Sequence, residues 1–360
     1  MQDKTKNIIV TIGFVFILML VFLINILAKD KEISVTERRK LASFPEVSIS
    51  KLLKGETTGK FENYAVDQFV GRDTYRTIKA FYSTNIYKQK DNNNLFEKDG
   101  AIYKMEYPLS EANIRKTAIK INDVYNTYLK NMNVYYAIIP DKNYYLENDD
   151  HLKFDYDLLK QIMAEELTNF KYIDIWDSLK LEDYYKTDIH WKQENLANVV
   201  DTIEINMNLS KTKGNYIVCN IGDFYGTYYG QIPGNYEPDK MYVLTNYILN
   251  NCTTYNYETK EKGKIYDEKI SQDKYDIYLS GATPIISIEN KNTTNNKELL
   301  LFRDSFGSSL APLLMGNYKK ITLIDLRYIS SKLLDQFIEF EDQDVLFLYS
   351  TVVLNQNILK

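Results

Sequence analysis

Short apolar runs that alternate with helical patterns place the strongest constraint on the fold of this 360-residue chain. The apolar runs lie at residues 134–139, 172–175, 299–302, 321–324 and 345–349. Helical patterns accompany them at residues 111–131, 157–169, 193–206, 308–315 and 333–339. An uninterrupted apolar run such as residues 134–139 is typical of a parallel strand that is covered on both faces. The sequence therefore predicts an α/β fold, a three-layer α/β/α sandwich with a mostly parallel sheet.

The stretch at residues 211–296 differs in composition from the segments around it. It is rich in Tyr, Thr, Asn, Gly and Asp, and it contains short alternating pieces at residues 241–244 and 285–288. Such pieces between turn-forming residues are typical of strands. We interpret this stretch as a β-rich insertion or a set of long loops rather than as a separate domain.

An apolar run near the N-terminus predicts a membrane anchor. Residues 8–27 are 20 residues long, the length that a helix needs to cross a hydrocarbon core, and only Thr11, Gly13 and Asn25 interrupt them. The run exceeds the apolar part of a cleaved signal peptide, and no A-x-A-like site follows it. The predicted division is an anchor, a helical arm and a main domain, at residues 1–29, 30–94 and 95–360.

The topology of this anchor does not follow from charge. Lysines precede the run, but Lys29, Lys31, Arg38, Arg39 and Lys40 follow it, and the positive-inside rule would favour the reverse orientation. Long domains cross membranes largely regardless of charge. We therefore expect a single-pass cell-membrane protein whose main domain lies outside the cytoplasm.

Charge and cysteine usage exclude two classes of protein. The formal net charge is −5, whereas nucleic-acid-binding proteins normally carry a basic surplus. Cys219 and Cys252 are the only cysteines; they could pair in an oxidising compartment, but their spacing alone does not decide this. The two cysteines and two histidines show no zinc-binding spacing. We predict no nucleic-acid partner, no metal site and no cofactor.

The best candidate for acid–base chemistry is a histidine with an aspartate two positions before it. The chain has two histidines, His151 and His190, and Asp188 precedes the second in Tyr-Tyr-Lys-Thr-Asp-Ile-His-Trp. In an extended segment both side chains would point to one face. The carboxylate would then accept the Nδ1 proton and leave Nε2 as a base. The alternative is a histidine at a strand end that only packs or caps.

A serine at a strand-to-helix turn supplies the second half of a site. Ser305 follows the run Leu-Leu-Leu-Phe-Arg-Asp and precedes a helical pattern. A serine at such a turn projects beyond the carboxyl end of the sheet, and helix amides can stabilise an oxyanion. The alternative is that Asp304 or Ser305 serves only as a helix N-cap. Because a hydroxyl needs a base, and the base an orienting partner, we predict that Ser305, His190 and Asp188 meet.

Ordered sequence blocks carry a family resemblance from about residue 30 to the C-terminus. These blocks lie at residues 37–45, 61–64, 67–73, 185–191, 223–227 and 304–307. The sequence resembles the DHHW-motif proteins of Gram-positive bacteria, which are similar to the alginate O-acetylation proteins of the SGNH hydrolase superfamily. It departs from the family at Ile189, where the first His of the signature would stand. Arg303 also precedes Asp304, where SGNH enzymes often carry Gly.

The resemblance implies an SGNH-hydrolase-like domain and a triad of Ser305, His190 and Asp188. The retained Asp-x-His keeps the catalytic pattern, and an isoleucine between the two is a structural residue. The amide of Ser305 is the first candidate oxyanion donor. Further oxyanion or substrate-binding candidates are Gly226, Tyr225 and Lys142, although a turn glycine and a solvated loop lysine are the simpler interpretations of two of them.

The function implied by the resemblance is O-acetyl transfer or ester hydrolysis on a cell-surface polysaccharide. Capture of an acyl-enzyme by water gives an esterase, and capture by a sugar hydroxyl gives an O-acetyltransferase. A membrane O-acyltransferase would be the partner that supplies acetyl groups. The alternatives are a non-catalytic glycan-binding or assembly protein of the cell envelope and a metal-dependent hydrolase that uses Asp188, His190, Asp304 and Asp325.

Overall fold

A computed structural model describes most of the chain. The described residues are 2–34, 39–46, 56–147, 151–212, 215–232, 236–267 and 273–360. Two residues of the block at 37–45, and parts of the predicted insertion, lie outside these ranges.

An α-helix is present at each of the helical patterns predicted at residues 111–131, 157–169, 193–206 and 308–315. The α-helices are α1 (Gln2–Leu27), α2 (Glu56–Asp67), α3 (Arg72–Phe81), α4 (Glu111–Val124), α5 (Tyr156–Glu166), α6 (Ala197–Asn206), α7 (Tyr247–Asn250), α8 (Phe306–Leu314) and α9 (Thr351–Gln356). Wider π-helical turns extend α3 through Tyr82–Ile86 and α4 through Tyr125–Leu129. The side chains of Ser110 and Asp155 accept backbone amide protons at the starts of α4 and α5, which fixes where these helices begin.

The strands fall into one large sheet and three short pairs within the described residues. They are β1 (Ile33–Ser34), β2 (Arg39–Lys40), β3 (Leu95–Lys98), β4 (Ala101–Lys104), β5 (Val134–Ile139), β6 (Lys171–Tyr172), β7 (Ile217–Phe224), β8 (Asp239–Thr245), β9 (Cys252–Asn256), β10 (Lys262–Gly263), β11 (Ile285–Asn290), β12 (Glu298–Arg303), β13 (Lys320–Ile324) and β14 (Asp344–Ser350). The pairs β1–β2, β3–β4 and β7–β8 stand outside the large sheet.

The large sheet has eight strands in the order β10-β9-β11-β13-β12-β14-β5-β6. Pairing is parallel from β13 through β12, β14 and β5 to β6. It is antiparallel from β13 through β11 and β9 to β10. The mostly parallel sheet that we predicted therefore describes one part of a mixed sheet. The antiparallel part comes from the insertion, whose strands β9, β10 and β11 extend the sheet at one side.

Two predicted elements differ from those observed. The pattern at residues 333–339 predicted an α-helix, but the chain forms 3₁₀ turns at Ser331–Gln336 instead. The apolar run at 172–175 forms a strand only at Lys171–Tyr172 and then turns into a 3₁₀ helix at Trp176–Ser178. Both segments are short, so they gain little from their own backbone bonds and follow the packing around them.

The chain divides into two units. One comprises Met1–Asn92 with Gly230–Gly234, and the other comprises Asn93–Tyr229 with Asn235–Lys360. In the larger unit, α4 contacts α5 and α9, while α6 contacts α8, and both α8 and α9 also contact strands of the large sheet. Strand β5 is buried at every position, as its uninterrupted apolar sequence predicts. The domain limits that we predicted from the sequence stay predictions.

In the smaller unit, α1 contains the predicted anchor. Residues Asp3–Leu27 form a helix long and apolar enough to cross a membrane, and none of its most apolar stretch is buried. A signal sequence near an N-terminus has the same properties. Helix length and composition therefore agree with the predicted anchor.

Candidate active site

Ser305, His190 and Asp188 lie in one chain of hydrogen bonds. Nε2 of His190 is 2.7 Å from Oγ of Ser305, and Nδ1 is 2.6 Å from Oδ2 of Asp188. Because the carboxylate accepts the Nδ1 proton, Nε2 is left to accept the proton of the serine hydroxyl. The structure thus brings Ser305 to the Asp188–His190 pair, although Ser305 lies 115 positions after His190 in the sequence.

The carboxylate of Asp188 is buried and fully engaged. Its Oδ1 accepts hydrogen bonds from the amide of Thr227 at 2.6 Å and from the Thr227 hydroxyl at 2.8 Å. Burial alone would raise the pKa of Asp188, but the imidazole of His190 and the two Thr227 donors hold that pKa well below its usual range. Asp188 is therefore a charged acceptor that fixes the tautomer of His190.

The segment around Asp188 is a bent loop, not the extended strand that we expected. Tyr184 pairs with Trp191 in a single antiparallel bridge, and the amide of Tyr185 donates to the carbonyl of His190. The side chains of Asp188 and His190 meet because this short loop folds back on itself. The expected proximity is present, but its cause is the bend rather than strand alternation.

A carboxylate from another segment holds the bend in shape. The carboxylate of Asp239, at the start of β8, accepts the amides of Lys186 and Thr187 at 2.8 and 2.9 Å. It also accepts the hydroxyl of Thr187 at 2.8 Å. The first strand pair of the insertion thus positions the loop that carries Asp188 and His190.

Lys142 is buried, so the interpretation of this residue as a solvated loop lysine was wrong. Its Nζ donates to the carbonyls of Tyr185, Lys186 and Asp188 at 3.0, 3.1 and 2.9 Å. The rings of Tyr103 and Tyr228 lie 5.0 and 5.2 Å from the same atom. Burial lowers the pKa of Lys142 to about 7. Since three acceptors require three N–H groups, the geometry is that of the charged ammonium.

Gly226 packs closely against Asp188. Its amide donates to the hydroxyl of Thr187 at 2.8 Å, so it is committed to another acceptor. A Cβ atom at this position would lie 2.1 Å from the Cβ of Asp188, so the close approach requires glycine. The neighbouring Tyr225 is half-buried, with its ring centre 4.1 Å from that of Tyr229.

Ser305 lies between β12 and α8, as the sequence predicted. The carboxylate of Asp304 accepts the amides of Phe306 and Ser350 at 3.1 and 2.8 Å, which ties the turn to the end of β14. The amide of Gly307 donates to the carbonyl of Asp304. A Cβ on Gly307 would lie 2.6 Å from that of Arg303, so the glycine of the Asp-Ser-Phe-Gly block allows α8 to start beside β12.

The carboxylates of the metal-dependent alternative are occupied by protein groups. Asp325 is buried between Arg327, at 2.7 Å, and Arg303, at 3.4 Å. The Asp304 carboxylate binds backbone amides. Among the described residues, no group of three or more His, Cys, Asp or Glu side chains could hold a metal ion.

Sequence reasoning missed two aromatic residues that hold His190 and its loop. The ring of Tyr275 stacks on the imidazole at 3.8 Å, nearly parallel to it, and its hydroxyl lies 2.9 Å from Oγ of Ser309 in α8. Nε1 of Trp191 donates to the same Oγ at 2.9 Å and to the carbonyl of Phe306 at 3.2 Å. Trp191 stands in the motif and could have been found there, whereas no sequence signal connects Tyr275 with His190.

Acetyl esters are the substrates that the sequence leads us to expect. On such an ester, replacing Tyr275 with leucine should lower kcat about tenfold, because the imidazole loses the ring that stacks on it. Tyr275→Phe keeps the ring and loses only the hydroxyl contact with Ser309, so it should retain most of the activity. Steady-state kinetics of both purified variants provide the measurement. Equal losses in the two variants would show that the hydroxyl, and not the stacked ring, is what matters.

The other residues singled out in the sequence lie apart from this chemistry or have structural roles. Ile189 is half-buried and packs against the main hydrophobic core, which explains an apolar residue at this position of the signature. His151 stacks on Phe96 at 3.6 Å. Cys219 and Cys252 are both free thiols, so the disulfide that the sequence left open is not formed.

The fold and the site together define an α/β protein with a Ser–His–Asp hydrogen-bond chain that begins at the carboxyl end of a central strand. The chain is similar to a DHHW family protein from Eubacterium siraeum, with a TM-score of 0.61 and 21% identity over 74% of this chain and 93% of that one. It is also similar to PatB1 from Bacillus cereus, with a TM-score of 0.59 and 21% identity over 75% and 99% of the two chains.

A second structure of PatB1, which carries a sulfonyl adduct, gives a TM-score of 0.57 and 20% identity over 74% of this chain and 97% of that one. No protein-family model matches the sequence, and no curated protein matches it. The structural similarities confirm, at the level of the fold, the resemblance to DHHW proteins that the sequence predicted.

Proposed function

We propose that this chain is a membrane-anchored SGNH-type O-acetyltransferase or acetylesterase that acts outside the cytoplasm on a cell-surface polysaccharide. The observation that carries the proposal is the hydrogen-bond chain from Ser305 through His190 to Asp188. A serine hydroxyl bonded to an imidazole, itself oriented by a buried carboxylate, is the arrangement that acyl transfer through a covalent intermediate requires.

In the first half-reaction, Oγ of Ser305 attacks the carbonyl carbon of an acetyl ester while Nε2 of His190 takes the hydroxyl proton. Asp188 keeps its charge and stabilises the imidazolium. The bond between the acyl carbon and the donor oxygen then breaks, and His190 gives its proton to that oxygen. The products are the free donor alcohol and an acetyl ester on Ser305.

In the second half-reaction, an acceptor hydroxyl gives its proton to His190 and attacks the acetyl-serine. The serine oxygen leaves and recovers the proton from the imidazolium. A sugar hydroxyl as acceptor gives an O-acetyltransferase, and water gives an esterase. We assign the oxyanion donor to the amide of Ser305, because the neighbouring amides of Phe306 and Gly307 are committed to Asp304.

The cellular setting is part of the same proposal. The exposed apolar helix α1 would span the membrane and hold the larger unit outside the cytoplasm, where cell-surface polysaccharide is found. Acetyl groups from inside the cell would then have to be passed outwards by a membrane O-acyltransferase, which would be the donor partner.

Covalent labelling tests the proposal directly. The full chain in detergent is incubated with an aromatic sulfonyl fluoride, since a sulfonyl adduct is compatible with the related fold of PatB1, and is then analysed by peptide mass spectrometry. Ser305 should carry the sulfonyl group in the wild type, and neither Ser305→Ala nor His190→Ala should be labelled. Labelling that is the same in all three proteins would refute the triad.

A second assay separates the transferase from the esterase. An acetyl ester is supplied with and without a soluble oligosaccharide, and both free acetate and acetylated sugar are measured. Acetylated sugar that requires Ser305 supports the transferase. Acetate release alone supports the esterase, and neither product from labelled protein would favour the glycan-binding alternative.

A further inference from the structure

Helix α3 and the turn that extends it present an apolar stripe to solvent. Tyr75, Ile78, Tyr82 and Ile86 are spaced three or four residues apart, so they lie along one face. Between 47% and 60% of each of these residues is exposed. A continuous apolar stripe on the surface marks a partner, because single exposed apolar residues are normal but an aligned row of them is not.

The stripe faces away from the protein. The residues of this segment that are buried are Ala80 and Ser83, with 1% and 7% exposure, and they lie on the other side of the helix. A helix that stabilises only its own domain buries its apolar face and exposes its polar one. Here the two buried residues are small, while the large apolar residues of the stripe are exposed, so packing within the smaller unit does not account for the stripe.

Hydrogen bonds place the start of α3 at the end of the apolar helix α1. The amide of Val70, just before α3, donates to the side chain of Asn25 at 2.9 Å. The side chain of Gln68 bonds both the amide and the carbonyl of Lys31, each at 2.9 Å. These contacts lie within the smaller unit, at the point where the apolar run of α1 gives way to polar residues.

We propose that α3 lies on the lipid surface, with the stripe of Tyr75, Ile78, Tyr82 and Ile86 inserted at the level of the headgroups. The inference rests on the membrane anchor in the proposed function. An anchored α1 puts residues 25–31 at the membrane boundary, and the hydrogen bonds put the start of α3 at the same level. Tyrosine is enriched at this boundary, and exposed Lys79 beside the stripe suits the headgroup region.

A lipid surface fits these observations better than a protein partner. None of the most apolar stretch of α1 is buried, so α3 does not run back along the anchor and cover its stripe there. A helix whose start is fixed to the end of a membrane span begins beside the bilayer surface, so that surface is within reach of its exposed stripe. Insertion of the stripe would restrict the rotation of the anchored protein and fix the height of the segment that follows α3.

Site-specific quenching in lipid nanodiscs tests the inference with the full chain. In a background with Cys219→Ala and Cys252→Ala, an environment-sensitive fluorophore is attached at Ile78→Cys or Ile86→Cys. Brominated phospholipids should quench both probes. The matched control is Thr77→Cys, which is exposed on another side of the same helix and should not be quenched. Ile78→Ser with Tyr82→Ser should abolish quenching at position 86.

A probe at Ile17→Cys, in the middle of α1, separates the inference from the anchor on which it rests. Quenching at position 17 without quenching at positions 78 and 86 would show that the stripe is not inserted in lipid, while the anchor would stand. No quenching at 17 would refute the anchor, and if 78 and 86 were also unquenched both proposals would fail. Equal quenching at 77, 78 and 86 would also overturn the inference, because the orientation of the stripe would then be wrong.

Discussion

Ser305→Ala should lower kcat for acetyl-ester hydrolysis by about 10⁴- to 10⁶-fold, the loss seen when a serine nucleophile is removed from a triad. The reason is that the proposed acyl-enzyme forms on Oγ of Ser305, which lies 2.7 Å from Nε2 of His190. His190→Ala should be nearly as inactive, because a serine hydroxyl without a base is a poor nucleophile. Both losses should appear in kcat more than in KM, since neither group contributes much to ground-state binding.

A variant that carries both Ser305→Ala and His190→Ala tests whether the two residues act together. If Ser305 and His190 act as one unit, the double alanine variant should be no less active than either single variant. Independent roles would instead multiply the two losses. His151→Ala is the matched control, because His151 is the other histidine and stacks on Phe96 instead; it should keep wild-type activity. Multiplicative losses, or a similar loss in the control, would contradict the triad.

The sequence predicted correctly those strands and helices that depend on the local pattern of apolar and polar residues. Strand β5 was predicted at its observed limits because a run buried on both faces must be apolar at every position. The insertion was recognised as β-rich, but the addition of β9–β11 to the central sheet was not. Antiparallel pairing of β11 with β13 joins segments more than 30 residues apart in sequence. A local sequence pattern does not indicate which distant strand will be the pairing partner.

The same distinction applies to the site. Asp188, His190 and Ser305 were found because their residue types and local settings are restrictive: a histidine is rare in this chain, and a serine between strand and helix has few roles. Tyr275 was missed because tyrosine is common here, with 31 in the chain, and only the tertiary fold brings one of them onto the imidazole.

Lys142 shows how a general rule about residue type can mislead. Lysines are almost always exposed, so the sequence favoured a solvated side chain. The structure buries it because the bend at residues 185–188 turns three carbonyls towards one point. These carbonyls need donors, and an ammonium supplies three. The need arises from the shape of a distant loop, which is not visible from the sequence around Lys142.

Lys142→Met should therefore lower kcat about 100-fold, although Ser305, His190 and Asp188 are all still present in this variant. Methionine fills a similar volume but leaves the three carbonyls without donors, and one of them belongs to Asp188. A displacement of the bend by about 1 Å is enough for a loss of this size. Lys142→Arg, which keeps a charge and several donors, should lose less. Kinetics on an acetyl ester and ¹⁵N-histidine NMR spectra report activity and the setting of His190 separately.

The protonation of Lys142 also makes the stability of the protein depend on pH, which provides an independent test. Burial lowers the pKa of Lys142 to about 7 in the folded chain, against an ordinary value of 10.5. Between these two values the unfolded chain holds a proton that the folded chain has released, so the free energy of unfolding rises with pH. The wild type should therefore gain stability relative to Lys142→Met from pH 7 towards pH 10, by on the order of 1 kcal/mol per pH unit at most.

Activity should move in the opposite direction. A neutral amine has two N–H groups for three carbonyls, so the activity advantage of the wild type over Lys142→Met should shrink as the pH rises through the same range. Urea denaturation and ester kinetics, both measured from pH 6 to pH 9, provide the two curves. A stability difference that does not change with pH would contradict the lowered pKa of Lys142. An activity ratio that grows with pH would contradict the charged role of its ammonium group. If both curves behave as expected, the ammonium that holds the bend keeps Asp188 and His190 aligned at a cost in stability.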